Sequence, residues 1–307
     1  MKQIILSATL IAASAMMISC EKENAPAMDD GRVRFTSGIK ATSTRVAIDP
    51  QGESVWEQGD PVGIFMVQHA TDVVADGAAN IKYTASAAGA STGFAPAADM
   101  IYYPIDNGVT VDFIAYHPHK EAASGFAYPV DVSDQTSQTA IDLLWAKADK
   151  GGEGYNKEDS RQGTVVNFTF DHQLVKLVMK VTKGAGVPDD LPAVSINGMY
   201  TRAAFDLKGI AGITAVSDPK SFAPCTLTAG TRYEAILLPA QSLGAGHTVI
   251  FRYANGEVYT WKMHQQIPEL EAGKMYEYEV AITKHGVNAT GTINNWTVGS
   301  TGSGVAE

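Results

Sequence analysis

The chain has 307 residues, 45% of them hydrophobic, and carries a formal net charge of −10. The hydrophobic content is ample for packed cores, and the length suits one large or two medium domains. The acidic balance argues against a nucleic-acid partner, which requires a basic footprint, and against electrostatic binding to anionic lipid.

The N-terminus has the pattern of a secretory signal peptide. Residues 4–18 are mainly apolar, Lys2 is the one charge that precedes them, and residues 21–23 are charged. This stretch is shorter than the roughly 20 residues of a membrane-spanning helix. Ser19-Cys20 resembles the lipobox of bacterial lipoproteins, which implies that the Cys20 thiol is acylated and that the chain is cut before it. The alternative is an ordinary signal peptide with an incidental cysteine.

Short apolar stretches separated by glycine and proline predict an all-β protein with little helix. The predicted strands lie at 33–41, 62–67, 101–104, 109–116, 165–170, 174–181, 194–200, 203–207, 233–238, 248–253, 257–262, 275–282 and 289–296. The best candidate for a helix is a short one at 142–150, and the glycine-rich, charged residues 146–163 predict a long exposed loop.

Two hairpins are predicted from turn chemistry. Residues 165–181 are expected to form one that turns at 171–172. The Asn-Gly pair at 255–256 predicts a two-residue type I′ turn, which would place Tyr253 opposite Val258.

The Gly/Pro-rich residues 184–192 are the best domain boundary. We therefore expect a signal peptide (1–19), a tether (20–31), an N-terminal β-sandwich domain (32–183), a linker (184–192) and a C-terminal β-sandwich domain (193–307). With Cys20 acylated, Cys225 would have no disulfide partner, so stability must come from core burial.

No stretch predicts catalysis, a cofactor or a metal. Residues 89–93 match the nucleophile-elbow pattern, but an Ala-rich loop precedes them and no helix follows. His117 and His119 lack a third ligand nearby in the sequence, and the acidic loop 149–159 lacks EF-hand spacing. A hydrolase would need a concave cluster of titratable groups, which nothing here indicates.

Several stretches, taken in order, resemble one family. They lie at 55–60 with 62–66, 101–104, 111–118, 134–135 with 142–146, 170–177, 237–240, 273–276 and 293–296. Together they are similar to the fimbrillin-like (Mfa-like) lipoproteins of Bacteroidetes. The resemblance implies two tandem transthyretin-like Greek-key β-sandwich domains and a non-enzymatic role as a fimbrial subunit or adhesin at the cell outer membrane. It also implies other fimbrial subunits as partners, attachment to the membrane through lipid, and host protein or glycan as a further candidate partner.

The residues permit a mechanism of assembly. The predicted strand 33–41 ends just before Arg45, so trypsin-like cleavage after Arg45 would free both the anchor and this strand. The uncovered edge would be a template for a strand of another chain. Residues 287–293 share the apolar alternation of 33–41 and are the candidate donor. The alternative is that 33–41 is a permanent first strand.

The runner-up function is a surface glycan-binding lipoprotein that does not polymerise. It depends on the four tryptophans, which can stack on sugars only if they are exposed. Tryptophans buried in the cores would favour the fimbrillin interpretation instead.

Overall fold

β-Strands dominate the part of the chain that the structure describes. The structure is a computed structural model, and it describes residues 30–37, 47–48, 54–123, 125–239 and 241–296. β-Branched and aromatic residues recur in these stretches, and such residues pack well on a pleated surface. From Gly31 onward the described residues belong to one compact unit.

The strands and helices follow in chain order. The first strands are β1 (Phe35–Ser37), β2 (Ala47–Ile48), β3 (Ser54–Val55), β4 (Pro61–Gln68), β5 (Ile81–Ala85), β6 (Thr92–Pro96), β7 (Val111–His117), β8 (Ala127–Asp131), β9 (Leu144–Ala148), β10 (Val166–Phe168) and β11 (Asp171–His172). The later strands are β12 (Val175–Lys183), β13 (Ala193–Asp206), β14 (Ile213–Phe222), β15 (Cys225–Thr228), β16 (Arg232–Leu237), β17 (Gln241–Ser242), β18 (Thr248–Arg252), β19 (Val258–Lys262), β20 (Glu269–Leu270), β21 (Lys274–Thr283) and β22 (Gly286–Asn295). The helical segments are α1 (Lys157–Arg161) and two 3₁₀ turns, Glu121–Ala123 and Met263–Gln265.

The strands form three larger sheets. The first has eight strands in the order β10-β1-β6-β5-β4-β7-β9-β11. The second has the order β15-β16-β12-β21-β22, and the third has the order β14-β13-β18-β19 with β8 paired on β13. Two short ladders, β17–β20 and β2–β3, complete the described pairing.

Three hydrophobic clusters fill the space around these sheets. One lies on the eight-stranded sheet and includes Phe35 and Trp56. Another is built from the second and third sheets and includes Phe251 and Trp261. The third cluster combines residues far apart in the chain, such as Phe65 and Ile236. The all-β fold class predicted from the sequence is confirmed, and the tandem division into two domains stays a prediction.

The unbroken apolar run at 62–67 has a simple explanation in β4. Ile64 and Met66 belong to the first cluster, whereas Phe65 and Val67 belong to the third. A strand with core on both faces needs apolar residues at every position instead of at alternate ones. The predicted buried strand is thus confirmed.

The short helix predicted at 142–150 is wrong. Leu144–Ala148 form strand β9, which pairs with β7 and places Leu144, Ala146 and Ala148 in the core. The period-two burial outweighs the helix propensity of a short Leu/Ala/Lys segment, because tertiary packing overrides a weak local preference. The predicted long loop at 146–163 is correspondingly shorter and contains α1.

The hairpin predicted at 165–181 is also wrong. β10 pairs in parallel with β1, while β12 pairs with β16 and β21 in another sheet. Residues 175–183, expected in the N-terminal domain, therefore belong to a sheet whose other strands follow residue 224. The predicted linker 184–192 connects β12 of the second sheet to β13 of the third, and its role as a domain boundary stays a prediction.

The hairpin of β18 and β19 forms with a different turn. Tyr253 N–H donates to Glu257 O, and Gly256 N–H donates to Tyr253 O at 3.0 Å. Gly256 has a φ of 91°, whereas Asn255 is not among the residues with positive φ, which excludes type I′. The loop has one residue more than predicted, so the register shifts by one and Arg252 faces Val258.

Other differences are smaller. The strands predicted at 194–200 and 203–207 are one continuous strand, β13, and residues 101–104 contribute only a bridge from Tyr102 to Arg32. Strands β8, β14 and β15 were not expected. The sequence of β14 shows little alternation of apolar and polar residues, because most of its side chains are exposed at a sheet edge.

Candidate strand-exchange site

The first strand lies between two others, and not at the edge of its sheet. Phe35 faces Phe94 of β6 in an antiparallel pairing and Val166 of β10 in a parallel one. β10 joins the sheet only through β1 in the described pairing. If β1 left, the backbone groups that it pairs on β6 and on β10 would both lose their partners.

Phe35 fills an aromatic socket, which we define as the rings of Tyr83, Phe113 and Phe168. Its ring centroid lies 5.2 Å from those of Tyr83 and Phe113, in edge-to-face geometry, and 5.6 Å from that of Phe168, in stacked geometry. Its exposed fraction is only 3%. Such ring pairs stabilise beyond their buried area, so Phe35 is the main anchor of a strand of three residues.

The residues on either side of Phe35 follow the same alternation. Val33 and Ser37 are buried, and Val33 N–H donates to Ile101 O at 3.0 Å. The Ser37 Oγ accepts from the Thr92 N–H at 3.1 Å, which satisfies a buried hydroxyl. The inward face of β1 thus presents a small aliphatic, an aromatic and a small polar side chain in sequence.

The predicted site residues Cys20 and Arg45 lie outside the described residues, and so does the rest of the predicted strand beyond Ser37. Tyr83, Phe113 and Phe168 were not singled out from the sequence. Each occupies an ordinary buried position of its own strand, and no local signal shows that the three converge on one ring.

His117 and His119, considered above for metal binding, are held as separate side chains. His117 is buried, and its Nδ1 lies 2.9 Å from Pro61 O. Burial lowers the pKa of His117 to about 4, because desolvation disfavours the imidazolium. Burial raises the pKa of the nearby Asp60 to about 6. Among the described residues, no group of three His, Cys, Asp or Glu side chains is placed to hold a metal ion.

The C-terminal strand β22 forms the edge of the second sheet and pairs with β21 along its whole length. Within β22 only Ala289 is buried, while Ile293 is 47% exposed. Its far end is fixed by Trp296, whose ring stacks on His172 with a centroid distance of 3.9 Å and an interplanar angle of 5°. Trp296 N–H also donates to Gly273 O at 2.7 Å.

None of the four tryptophans is exposed. Trp56, Trp261 and Trp296 are buried, and Trp145 is half-buried with its indole N–H donating to Leu207 O at 2.8 Å. The stacking faces of the three buried rings are therefore not available as a sugar platform.

Two further features bear on the expectations. Cys225 is a free, partly buried thiol. In the described part of the chain, no helix has the length and apolar character to span a bilayer.

These features define a class of protein: an all-β chain whose short first strand lies between two others and fills an aromatic socket with Phe35. Residues 44–296 match the family model described as fimbrillin-like. The chain belongs to the fimbrillin-like family.

Named relatives agree with this assignment. A Bacteroides uniformis protein named "Putative fimbrium subunit Fim1C" is 34% identical over 315 residues, covering 98% of this chain and 97% of the relative. A crystal structure from the same species, described as that of a "putative cell adhesion protein", matches this chain with a TM-score of 0.70 and 33% identity. The match covers 87% of this chain and 99% of that one. A similarly designated protein from Bacteroides ovatus shares the fold, with a TM-score of 0.64 at 20% identity over 88% and 99% of the two chains.

Proposed function

We propose that this chain is a lipid-anchored fimbrial subunit that is matured by loss of its first strand and then accepts a strand from a neighbouring subunit. The observation that carries the proposal is the position of β1. This strand pairs with β6 on one side and β10 on the other, and Phe35 packs into the core. Family membership and the named fimbrial relative support the same role.

The anchor is the acylated thiol of Cys20, which would tether the chain to the outer membrane before assembly. Incorporation of labelled palmitate into the wild-type chain, and its loss in Cys20→Ala together with altered sorting, tests this step. A Cys20→Ala chain that sorts as the wild type does would contradict the proposed anchor.

Maturation follows from the order of the segments. Cleavage after Arg45 would separate Cys20 and β1 from the rest of the chain. Departure of β1 would uncover the socket and leave unpaired backbone groups on β6 and β10. Main-chain hydrogen bonds and inward side chains of an incoming strand would then replace those of β1. Such a head-to-tail contact does not close on itself, so it builds filaments.

Partial proteolysis tests the mechanism. Lipid-free protein is treated with trypsin, and the products are examined by N-terminal sequencing, size-exclusion chromatography and electron microscopy. We expect a new N-terminus at Val46, and release of the residues that precede it once an excess of free peptide 31–39 is added as a competing strand. Arg45→Ala combined with Lys40→Ala is the matched control, since trypsin also cuts after lysine, and it should retain β1. A cut chain that keeps its own β1 in the presence of excess free peptide 31–39 would refute strand exchange.

The glycan-binding alternative is not favoured by any observation on the tryptophans. Three of them lie in the hydrophobic clusters, as expected for side chains that stabilise the fold. Binding to host protein or glycan through another surface of the subunit is compatible with the proposed role and is tested by glycan arrays with the intact protein.

A further inference from the structure

The first strand and the C-terminal strand have similar sequences. Residues 33–39 read Val-Arg-Phe-Thr-Ser-Gly-Ile, and residues 287–293 read Val-Asn-Ala-Thr-Gly-Thr-Ile. The first, fourth and seventh positions are identical, and the fifth is small in both. The third position, which faces inward in both strands, differs most in volume: Phe35 in one and Ala289 in the other.

This difference in side-chain volume lies at the position where β1 packs against the three rings of the socket. Phe35 contacts all three rings of the socket and is almost completely buried. An alanine in its place would leave the space of a phenyl ring unfilled, since close-packed surroundings relax only partly. Backbone pairing with β6 and β10 would not compensate, because any extended strand makes the same main-chain hydrogen bonds.

The small residues of β22 fit the sheet in which they lie. Ala289 is buried opposite Val280, and Gly291 lies so close to β21 that a Cβ there would clash with the backbone oxygen of Glu277 and approach the Tyr278 ring to 2.7 Å. A bulky residue would not suit this location. At its fifth position the strand therefore has room only for glycine, and at its third it presents a small side chain beside Val280.

We infer that the groove vacated by β1 accepts a donor strand from a different subunit, one with an aromatic side chain at the Phe35 position, and rejects the β22 strand of a second copy. This inference rests on the proposed strand exchange. It names the partner by its chemistry: an extended segment with an inward aromatic residue flanked, two positions away on either side, by a small aliphatic and a small residue.

The test uses the full chain with a site-specific protease sequence in place of residues 41–44, cut after folding so that β1 is held without a covalent link. Three labelled peptides then compete with β1: residues 31–39, residues 286–295, and residues 286–295 with Ala289→Phe. The last two differ at one side chain. Fluorescence anisotropy measures how tightly each peptide binds.

We expect the 31–39 peptide and the Ala289→Phe peptide to bind, and the native 286–295 peptide to bind at least about 100-fold more weakly, as the loss of a buried phenyl ring implies. Binding of the native peptide within tenfold of the 31–39 peptide would overturn the inference. So would an Ala289→Phe peptide no tighter than the native one. If even the 31–39 peptide does not exchange, strand exchange itself fails, and a measurement within one chain decides the specificity separately.

That second measurement transplants β22 residues into β1 of the uncut chain. The variant Arg34→Asn/Ser37→Gly keeps Phe35, and the triple variant adds Phe35→Ala. The first variant should melt somewhat below the wild type, because the Thr92 N–H loses the Ser37 Oγ acceptor, whereas the triple variant should melt roughly 10 °C lower than the first. Equal melting temperatures for the two variants would show that the socket does not select an aromatic residue.

Discussion

Replacing His117 by a side chain that does not titrate should make the free energy of unfolding depend less on pH under acidic conditions. His117 is 2% exposed, and burial lowers its pKa to about 4 in the folded chain, from an ordinary value of 6.5. The imidazole must therefore stay neutral in the folded state while it gains a proton in the unfolded state. Its contribution is fully present above pH 6.5 and is lost as the pH falls towards 4.

The magnitude follows from the two pKa values. A difference of about 2.5 pKa units corresponds to about 3.4 kcal/mol, of which roughly 2.5 kcal/mol is lost between pH 7.5 and pH 4.5. His117→Asn removes the titration but keeps a side-chain N–H near Pro61 O, which the ring Nδ1 now approaches at 2.9 Å. The smaller side chain lowers the stability by the same amount at every pH, so it does not affect the slope.

Urea unfolding at pH 7.5 and 4.5 measures the effect. We expect the wild type to lose about 2.5 kcal/mol more than His117→Asn between these two pH values. Asp60, whose pKa is raised to about 6 by burial, acts in the opposite direction, because the folded state holds its proton more tightly. Asp60→Asn should therefore steepen the loss on acidification. Equal pH slopes for the wild type and His117→Asn would refute the reasoning.

Three further pairs of substitutions, each a test variant with its control, test the packing described above. Trp296→Ala should speed amide hydrogen exchange along β22, because the stacking of Trp296 on His172 fixes the end of this strand. Ile293→Ala, at a position that is 47% exposed, should not change the exchange. Equal exchange in the two variants would contradict the role of Trp296. Glu234→Gln should lower the free energy of unfolding, measured in urea, by about 3–5 kcal/mol, because it leaves the buried Lys176 ammonium without the carboxylate that lies 2.5 Å away. Glu279→Gln, on the exposed side of β21, should be nearly neutral. Gly209→Ala should lower the free energy of unfolding more than Gly212→Ala. Both glycines have positive φ, but only at Gly209 would a Cβ meet the Trp145 ring, at 2.6 Å. Similar losses of stability in the two variants would show that the ring moves aside.

Sequence reasoning succeeded where one local pattern has one structural meaning. The apolar run of β4 could only be a strand buried on both faces, since it is too short for a helix and is bounded by turn residues. The alternating burial of β18, β19 and β21 was visible for the same reason. The all-β class, and the prediction that the chain has little helix, followed from many such short segments.

It failed where the outcome depends on distant partners. Residues 144–148 have a composition that suits a short helix, and they become a strand because β7 and β11 lie on either side. Residues 166–168 pair with β1, more than a hundred residues earlier in the chain, and not with their neighbour β12. The turn at 255–256 shows a subtler limit: an Asn-Gly pair fits more than one hairpin loop, and a shift of one residue changes every pairing.

The candidate site combines both situations. The alternation of residues 33–37 and their likeness to 287–291 could be read directly from the sequence, and on that basis the two strands look interchangeable. The structure separates them by what surrounds the third residue: three rings from β5, β7 and β10 around Phe35, and Val280 opposite Ala289. Main-chain pairing is the same for any donor, so selectivity in strand exchange must reside in such an inward side chain and the cavity that receives it. A subunit with a socket that its own C-terminal strand cannot fill is suited to assembly with a different partner, in a fixed order, instead of polymerising with itself.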